Sequence, residues 1–327
     1  MERRIAINTF LLLLFVLVRA QFDDEPLEKR EDGRLKEITI KGVVYTKVVR
    51  TGMGAYSTVY HAYDKSKNRD VAIKMSHKRH CEDGELYIGV LKELYVIQYL
   101  NREPNNFVPR FYDGAVSKSM VCIVLESGLL TLKNYIDYFV TDPDTVAHLW
   151  NSSLRVAQHL HNEGLQYGDF REDNLMVFQW QDSLILKAID FNENTHPLNE
   201  ETRKRIMNYA TDYKLEDAEQ TEMEDGLRVS LRGIESDIVD LGELLEKMIK
   251  HFRNGNNDSL LKQYGATKLA KTYNDCRNIY KNEMAEKKCP PLRIPNLLFD
   301  DAYKLAPKET FDDSKLPSNI VEKPLKT

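Results

Sequence analysis

Between Glu37 and Lys74 the apolar residues come in short alternating runs: Ile38-Thr39-Ile40, Val43-Val44-Tyr45, Val48-Val49, Thr58-Val59-Tyr60 and Val71-Ala72-Ile73. Gly, Asn and Asp turn signals separate them, which predicts strands of one antiparallel sheet. The period then changes. Leu86, Val90, Leu94 and Ile97 recur at helical spacing and predict one helix with a single buried face. Two further strands are predicted around Phe111 to Tyr112 and Val121 to Leu125. Beyond Gly128 helical periods dominate, at Thr131 to Phe139, Thr145 to Glu163 and Ser236 to Arg253. A hairpin of Leu175 to Phe178 with Leu184 to Ile189 interrupts them. The predicted class is α+β, with a small antiparallel-sheet lobe and its helix at 37–128 and a mostly helical lobe at 129–303. The acidic segment 21–36 and the tail 304–327 lack periodicity and are expected to be disordered.

The first 20 residues read differently. Arg3 and Arg4 precede an apolar run, Ile5 to Val18, that ends in Val18-Arg19-Ala20, the pattern of a signal peptide cleaved after Ala20. The expectation is a chain in the secretory-pathway lumen (ER or Golgi) or secreted, with no membrane span once the signal is gone. The formal charge of the whole chain is -5, and cleavage removes three arginines for one glutamate. An acidic chain argues against nucleic acid or an anionic membrane as partner, and a monomer is expected. An oxidising compartment invites pairing among Cys81, Cys122, Cys276 and Cys289. Cys276 with Cys289 is the expected bridge, because Cys122 sits in the buried-strand pattern Val121 to Leu125. Two sequons point to a glycoprotein, Asn151-Ser152-Ser153 in a helical pattern and Asn257-Asp258-Ser259 in a polar loop.

Gly52-Met53-Gly54 lies between two strand patterns, where glycines let backbone N–H groups approach phosphates closely. Such a pair is more often only a turn. Val71-Ala72-Ile73-Lys74 adds a lysine ending an apolar strand, which calls for an anionic partner. Glu93, on the helix beside Leu94 and Ile97, supplies one. A Lys74–Glu93 pair would aim the ammonium at the α and β phosphates of ATP.

In this order and spacing the chain resembles the eukaryotic protein kinase superfamily, a bilobal fold, and later motifs agree. Leu160 to Asn174 resembles the catalytic loop, which implies Asp169 as catalytic base and Asn174 as a metal ligand. Asp190-Phe191-Asn192 matches the motif whose Asp binds the metal bridging the β and γ phosphates, and Asp237 to Gly242 resembles the start of the central C-lobe helix. The resemblance implies ATP with Mg2+ or Mn2+, an adenine pocket lined by Val59, Ala72 and Met176, Leu125 as gatekeeper and a hinge beginning at Glu126. Ile40 to Tyr45 looks most like the spindle-checkpoint dual-specificity kinases.

Departures bear on control and on the acceptor. Ser57 replaces the third loop glycine, and Tyr167-Gly168 replaces His-Arg, removing the arginine that clamps a phosphorylated loop. Arg171, in place of lysine, is suited to the γ-phosphate, and Asn192 replaces glycine in a residue type that tolerates left-handed geometry. No Ala-Pro-Glu occurs between Asp190 and Asp237, and Gly168 to Asn174 is also similar to the loop of aminoglycoside and choline-type kinases. Three readings follow: a protein kinase with an unidentified protein substrate, a kinase of a small molecule or sugar, and a secreted pseudokinase acting as a scaffold. Retention of every phosphate-facing and metal-facing residue favours the first.

Overall fold

A computed structural model describes residues 37–251, apart from 55–56, 78–84, 118–119, 140–142, 193, 211–212, 214, 216 and 232, together with 304–307. The signal peptide, the acidic segment 21–36, Cys81, Cys276, Cys289 and the Asn257 sequon lie outside the described residues. Among those described, the chain divides into two compact units. The first holds residues up to Leu94 and Phe111–Ser127, the second Tyr95–Arg110 and residues from Gly128 on.

The first unit is an antiparallel sheet of β1 (Ile38–Ile40), β2 (Val43–Met53), β3 (Thr58–Asp64), β4 (Arg69–His77), β5 (Phe111–Val116) and β6 (Met120–Glu126), in the order β1-β2-β3-β4-β6-β5. Each strand was legible in the sequence, although Val43 to Met53 is one bulged strand where the residues suggested separate runs. The β1–β2 hairpin turns through Lys41 and Gly42, both at positive φ (48° and 80°), the two-residue turn that matches strand twist. Alternation along β4 sends Val71, Ile73 and Met75 into a core with Ile38, Ile40, Ala62, Cys122 and Val124, and turns Ala72 and Lys74 to the other face.

Helix α1 (Glu85–Leu100) corrects the expectation of a single buried face. Nearly every position from Ile88 to Leu100 is buried, including Lys92 and Glu93. A helix packed on all sides carries no clean apolar stripe, so its periodicity understates its burial.

The second unit contains β7 (Leu130–Thr131), α2 (Leu132–Phe139), α3 (Pro143–Asn162), β8 (Leu165–Gln166), β9 (Leu175–Trp180), β10 (Ser183–Ala188), β11 (His196–Pro197), α4 (Glu200–Ala210), α5 (Asp217–Gly226), α6 (Glu235–His251) and β12 (Lys304–Pro307). Helix α3 stops at Gly164, whose φ of 76° suits glycine and whose absent Cβ would lie 2.2 Å from Thr202 Oγ1. Helices α4 and α5 occupy the polar stretch that had no predicted elements. Asn199 caps α4 by accepting the Thr202 N–H (2.8 Å), and Glu200 and Glu201 favour its first turn.

Two expectations need correction. Lys304–Pro307 is not tail but an edge strand on β10, with Pro307 at the edge where a missing N–H is tolerated. Its partner is far away in sequence, so no local pattern could reveal it. Asn151 is 7% exposed within α3, and Ser153 is buried with its hydroxyl donating to the Leu149 carbonyl, so the folded chain has no room for a glycan there. Cys122, in keeping with its buried-strand pattern, is free, and burial pushes its thiol up to about 12, leaving it a small hydrophobe.

Candidate active site

Strand register places the first unit's site residues. Val59 is opposite Lys74, and Ala72 is opposite Leu125, so Val59, Ala72, Lys74 and Leu125 share one face of the sheet. All four are half-buried, whereas the opposite face of β4 is core. Gly52 pairs with Val59 at the mouth of the hairpin, and the Gly54 N–H donates to the Ser57 carbonyl (2.9 Å). Among the described residues, a Cβ at Gly52 would make ordinary contact with Val59, and one at Gly54 would meet the Ser57 carbonyl at 3.8 Å. Neither contact demands glycine, whereas close approach of a ligand would.

Lys74 Nζ stands 2.5 Å from Glu93 Oε2, with the side chains 12% and 2% exposed. Removing one partner of such a pair costs about 3–5 kcal/mol, because the other stays charged in a desolvated place. Lys74→Met is therefore expected to lower Tm as well as abolish phosphoryl transfer, while adding Glu93→Leu recovers Tm and not transfer. Thermal denaturation and a transfer assay on the two variants separate these effects. Recovery of both would remove Lys74 from the chemistry.

In the second unit the loop between β8 and β9 hangs from the first turn of α6. Asp237 is fully buried. Its carboxylate accepts the N–H groups of Tyr167 (2.9 Å) and Gly168 (2.5 Å) and pairs with His161 Nε2 (2.8 Å). Asp169 follows directly. Its Oδ2 accepts the Asn174 side-chain amide (2.5 Å), and Arg171 Nε lies 3.4 Å away. Burial raises the Asp169 carboxyl above its ordinary value, partly offset by Arg171 and Asn174. The Asn174 carbonyl also accepts the N–H of Ile189, the residue before Asp190 (3.0 Å). The Tyr167 hydroxyl donates to the Ile189 carbonyl, and the Tyr167 ring packs on Phe170 and Phe191 at 4.7 and 5.4 Å. Met176, half-buried on β9, sits under Gly128, whose absent Cβ would fall 2.2 Å from the Met176 sulfur.

A family model for the protein kinase domain matches residues 45–213, just over half of the chain. The chain belongs to the protein kinase domain family. Calcium-dependent protein kinase 25 of Arabidopsis thaliana is 26% identical over 176 residues, 54% of this chain and 32% of its own length. The serine/threonine-protein kinase STE20 of Yarrowia lipolytica is 27% identical over 184 residues, covering 55% of this chain and 16% of that protein. Its namesake in Saccharomyces cerevisiae is 26% identical over 232 residues, with 69% and 23% covered. The chain spans less than a third of the length of each.

The kinase family implies ATP and a divalent metal, and the donor set fits both. Asn174 spends its amide nitrogen on Asp169, which leaves its carbonyl oxygen as the hard ligand atom. Asp190 stands in the left-handed region (φ 66°), and one of its carboxylate oxygens accepts the Asn192 amide (2.8 Å). The left-handed residue of this kinase turn is thus Asp190, while Asn192 braces its carboxylate.

Two positions that sequence reasoning treated as losses carry structure. Gly168 has φ of 76°, and a Cβ there would lie 2.3 Å from the Asn194 carbonyl oxygen. Tyr167 bridges the two loops through its hydroxyl. Asp237 was visible only as the start of a helix. Its role needed the contact to a loop about 70 residues earlier.

One turn further along α6, burial together with the nearby Asp237 pushes the Asp240 carboxyl up to about 7. The folded value exceeds the unfolded one, so stability from this group is fully present below about pH 4 and is lost as pH rises through about 7. Asp240→Asn is accordingly expected to raise Tm at pH 8, with the gap to the parent closing near pH 4. Denaturation at the two pH values checks this, and an equal gap at both would contradict it.

Proposed function

We propose that this chain is an ATP-dependent phosphotransferase, a protein kinase that passes the γ-phosphoryl of ATP to a hydroxyl of a protein in the secretory pathway or outside the cell. The carrying observation is that the Asn174 amide donates to the Asp169 carboxylate while the Asn174 carbonyl accepts the N–H of Ile189, the residue before Asp190, an arrangement a scaffold has no chemical need to keep. Lys74, oriented by Glu93, and the Gly52–Gly54 hairpin contribute phosphate contacts. Val59, Ala72, Leu125 and Glu126 of the first unit offer apolar and backbone surface suited to adenine, a role the kinase resemblance also assigns to Met176. Bound through Asn174 and Asp190, Mg2+ or Mn2+ would neutralise charge on the phosphates. Asp169 positions the acceptor hydroxyl and takes its proton, and Arg171 favours the charge of the γ-phosphoryl.

A protein acceptor is supported by Leu231, which is 99% exposed in the segment before α6. Ser230 beside it donates to Gln166, and its N–H reaches the Pro197 carbonyl (2.9 Å), so an apolar contact point is fixed next to the catalytic loop. Control through a phosphate clamp has no arginine at Gly168 to use. In its place Tyr209 and Tyr213 pack on Tyr99 and Tyr95, and the Tyr213 hydroxyl accepts the Gln98 amide (2.8 Å). The lumenal location is supported by the apolar run behind Arg3 and Arg4. Incubation with labelled ATP and two acceptor pools, secretory proteins and hydroxylated metabolites, tests the assignment. Label in protein is expected. Label confined to metabolites would move the reading to a small-molecule kinase.

A further inference from the structure

The end of α1 and helix α4 meet at Tyr99 and Tyr209, whose rings stand edge to face with centroids 6.3 Å apart. Both residues belong to the second unit. Beside them opens a cavity of about 380 Å³, lined by Tyr99, Arg102, Arg205, Asn208 and Tyr209. Small-molecule sites usually run from roughly 300 to 1,000 Å³, so the space admits more than a bare ion. Its wall is one-sided in chemistry. Two guanidinium groups, which only donate, stand with an amide and two phenols, and no carboxylate is among the five. The carboxylates that pair with the two arginines, Glu163 and Glu201, are not part of the wall.

The two arginines are held differently. Arg102 lies over the Tyr99 ring at 4.2 Å, donates to the Tyr99 carbonyl (2.9 Å) and pairs with Glu163. It is fixed in place, and these two hydrogen bonds leave it further N–H donors among the five of a guanidinium. Arg205 pairs with Glu201 one turn earlier on α4, where the side chains are 55% and 74% exposed. An ion pair so exposed contributes little, and Arg205 can exchange it for another anion. Guanidinium forks match phosphate and sulfate oxygens bidentately, and the neighbouring Tyr209 ring offers a surface for an aromatic body.

We propose that this cavity binds a small aromatic phosphate or sulfate monoester, with the oxyanion between Arg102 and Arg205 and the ring against Tyr209. A ligand held in this way joins the end of α1 to α4. None of the five lining residues is assigned to ATP, metal or acceptor, so the inference stands apart from the kinase reading.

The test is titration calorimetry of the full chain with phenyl phosphate, phenyl sulfate and inorganic phosphate, repeated with ADP and Mg2+ present. Saturable binding of at least one ester is expected, tighter than inorganic phosphate and unchanged by ADP with Mg2+. The tighter ester identifies which oxyanion the site takes. Arg205→Gln is expected to weaken that ester about tenfold or more, the scale of one charge-assisted hydrogen bond, with Tm near the parental value because the Glu201 pair is exposed. Arg205→Lys keeps the charge without the fork and is expected to recover only part of the loss. Tyr209→Leu is expected to weaken the esters and leave inorganic phosphate unchanged, and it carries the test if the Arg205 variants lose their fold. The proposal is overturned if neither ester binds, if inorganic phosphate binds as tightly, or if Arg205→Gln and Tyr209→Leu both keep parental affinity. Displacement by ADP with Mg2+ would also overturn it, since the esters would then occupy the nucleotide site.

Discussion

Asp169→Asn is expected to lower kcat by about 10²- to 10⁴-fold, the range for removing a positioned general base, while nucleotide affinity stays within about twofold. The structure explains why the two effects separate. Asp169 makes its side-chain contacts to Asn174 and Arg171, both on the same loop, and an amide oxygen still accepts from Asn174. Burial already disfavours the charged carboxylate, so neutralising it is expected to leave Tm equal or higher. Single-turnover transfer and ADP titration on the same preparation check both halves. Transfer at the parental rate would show that the acceptor proton goes elsewhere.

Gly168→Arg, which rebuilds the residue pair usual in kinases, is expected to damage the protein rather than endow it with control by loop phosphorylation. A side chain at φ of 76° costs roughly 1–2 kcal/mol. The Cβ would also fall 2.3 Å from a backbone oxygen of Asn194, an atom that cannot swing aside. At least about 2 kcal/mol of destabilisation follows, and at this size each kcal/mol lowers Tm by about 2–4 °C. Gly168→Ala is expected to show most of the loss, since the strain lies at Cβ. A normal Tm for Gly168→Arg would mean that the turn through Asn194 takes another path.

The sheet and the long helices were legible because their signals are local: alternation in Val71 to Lys74, periodicity in α3 and α6, turn residues between them. The candidate site could be named for a related reason, since Gly52, Lys74, Glu93, Asp169, Asn174 and Asp190 follow a family order that can be read along one line. Helix α4 was not, because its inward side offers little beyond Thr202 and Ile206 against a polar remainder. The supports were hidden as well. Asp237 and Tyr167 act through contacts between distant segments, and Gly168 looked like a missing arginine until its backbone angle and its neighbour Asn194 were known. A polar or glycine residue whose purpose is another segment's backbone leaves no periodic trace.

The most direct test of the central claim is γ-phosphoryl transfer from labelled ATP by the folded chain, with Mg2+ or Mn2+ and again with the metal chelated. Metal-dependent label on protein hydroxyls is predicted, lost in Asp169→Asn. A folded chain that binds ATP and metal yet labels neither proteins nor small hydroxylated acceptors would contradict the account.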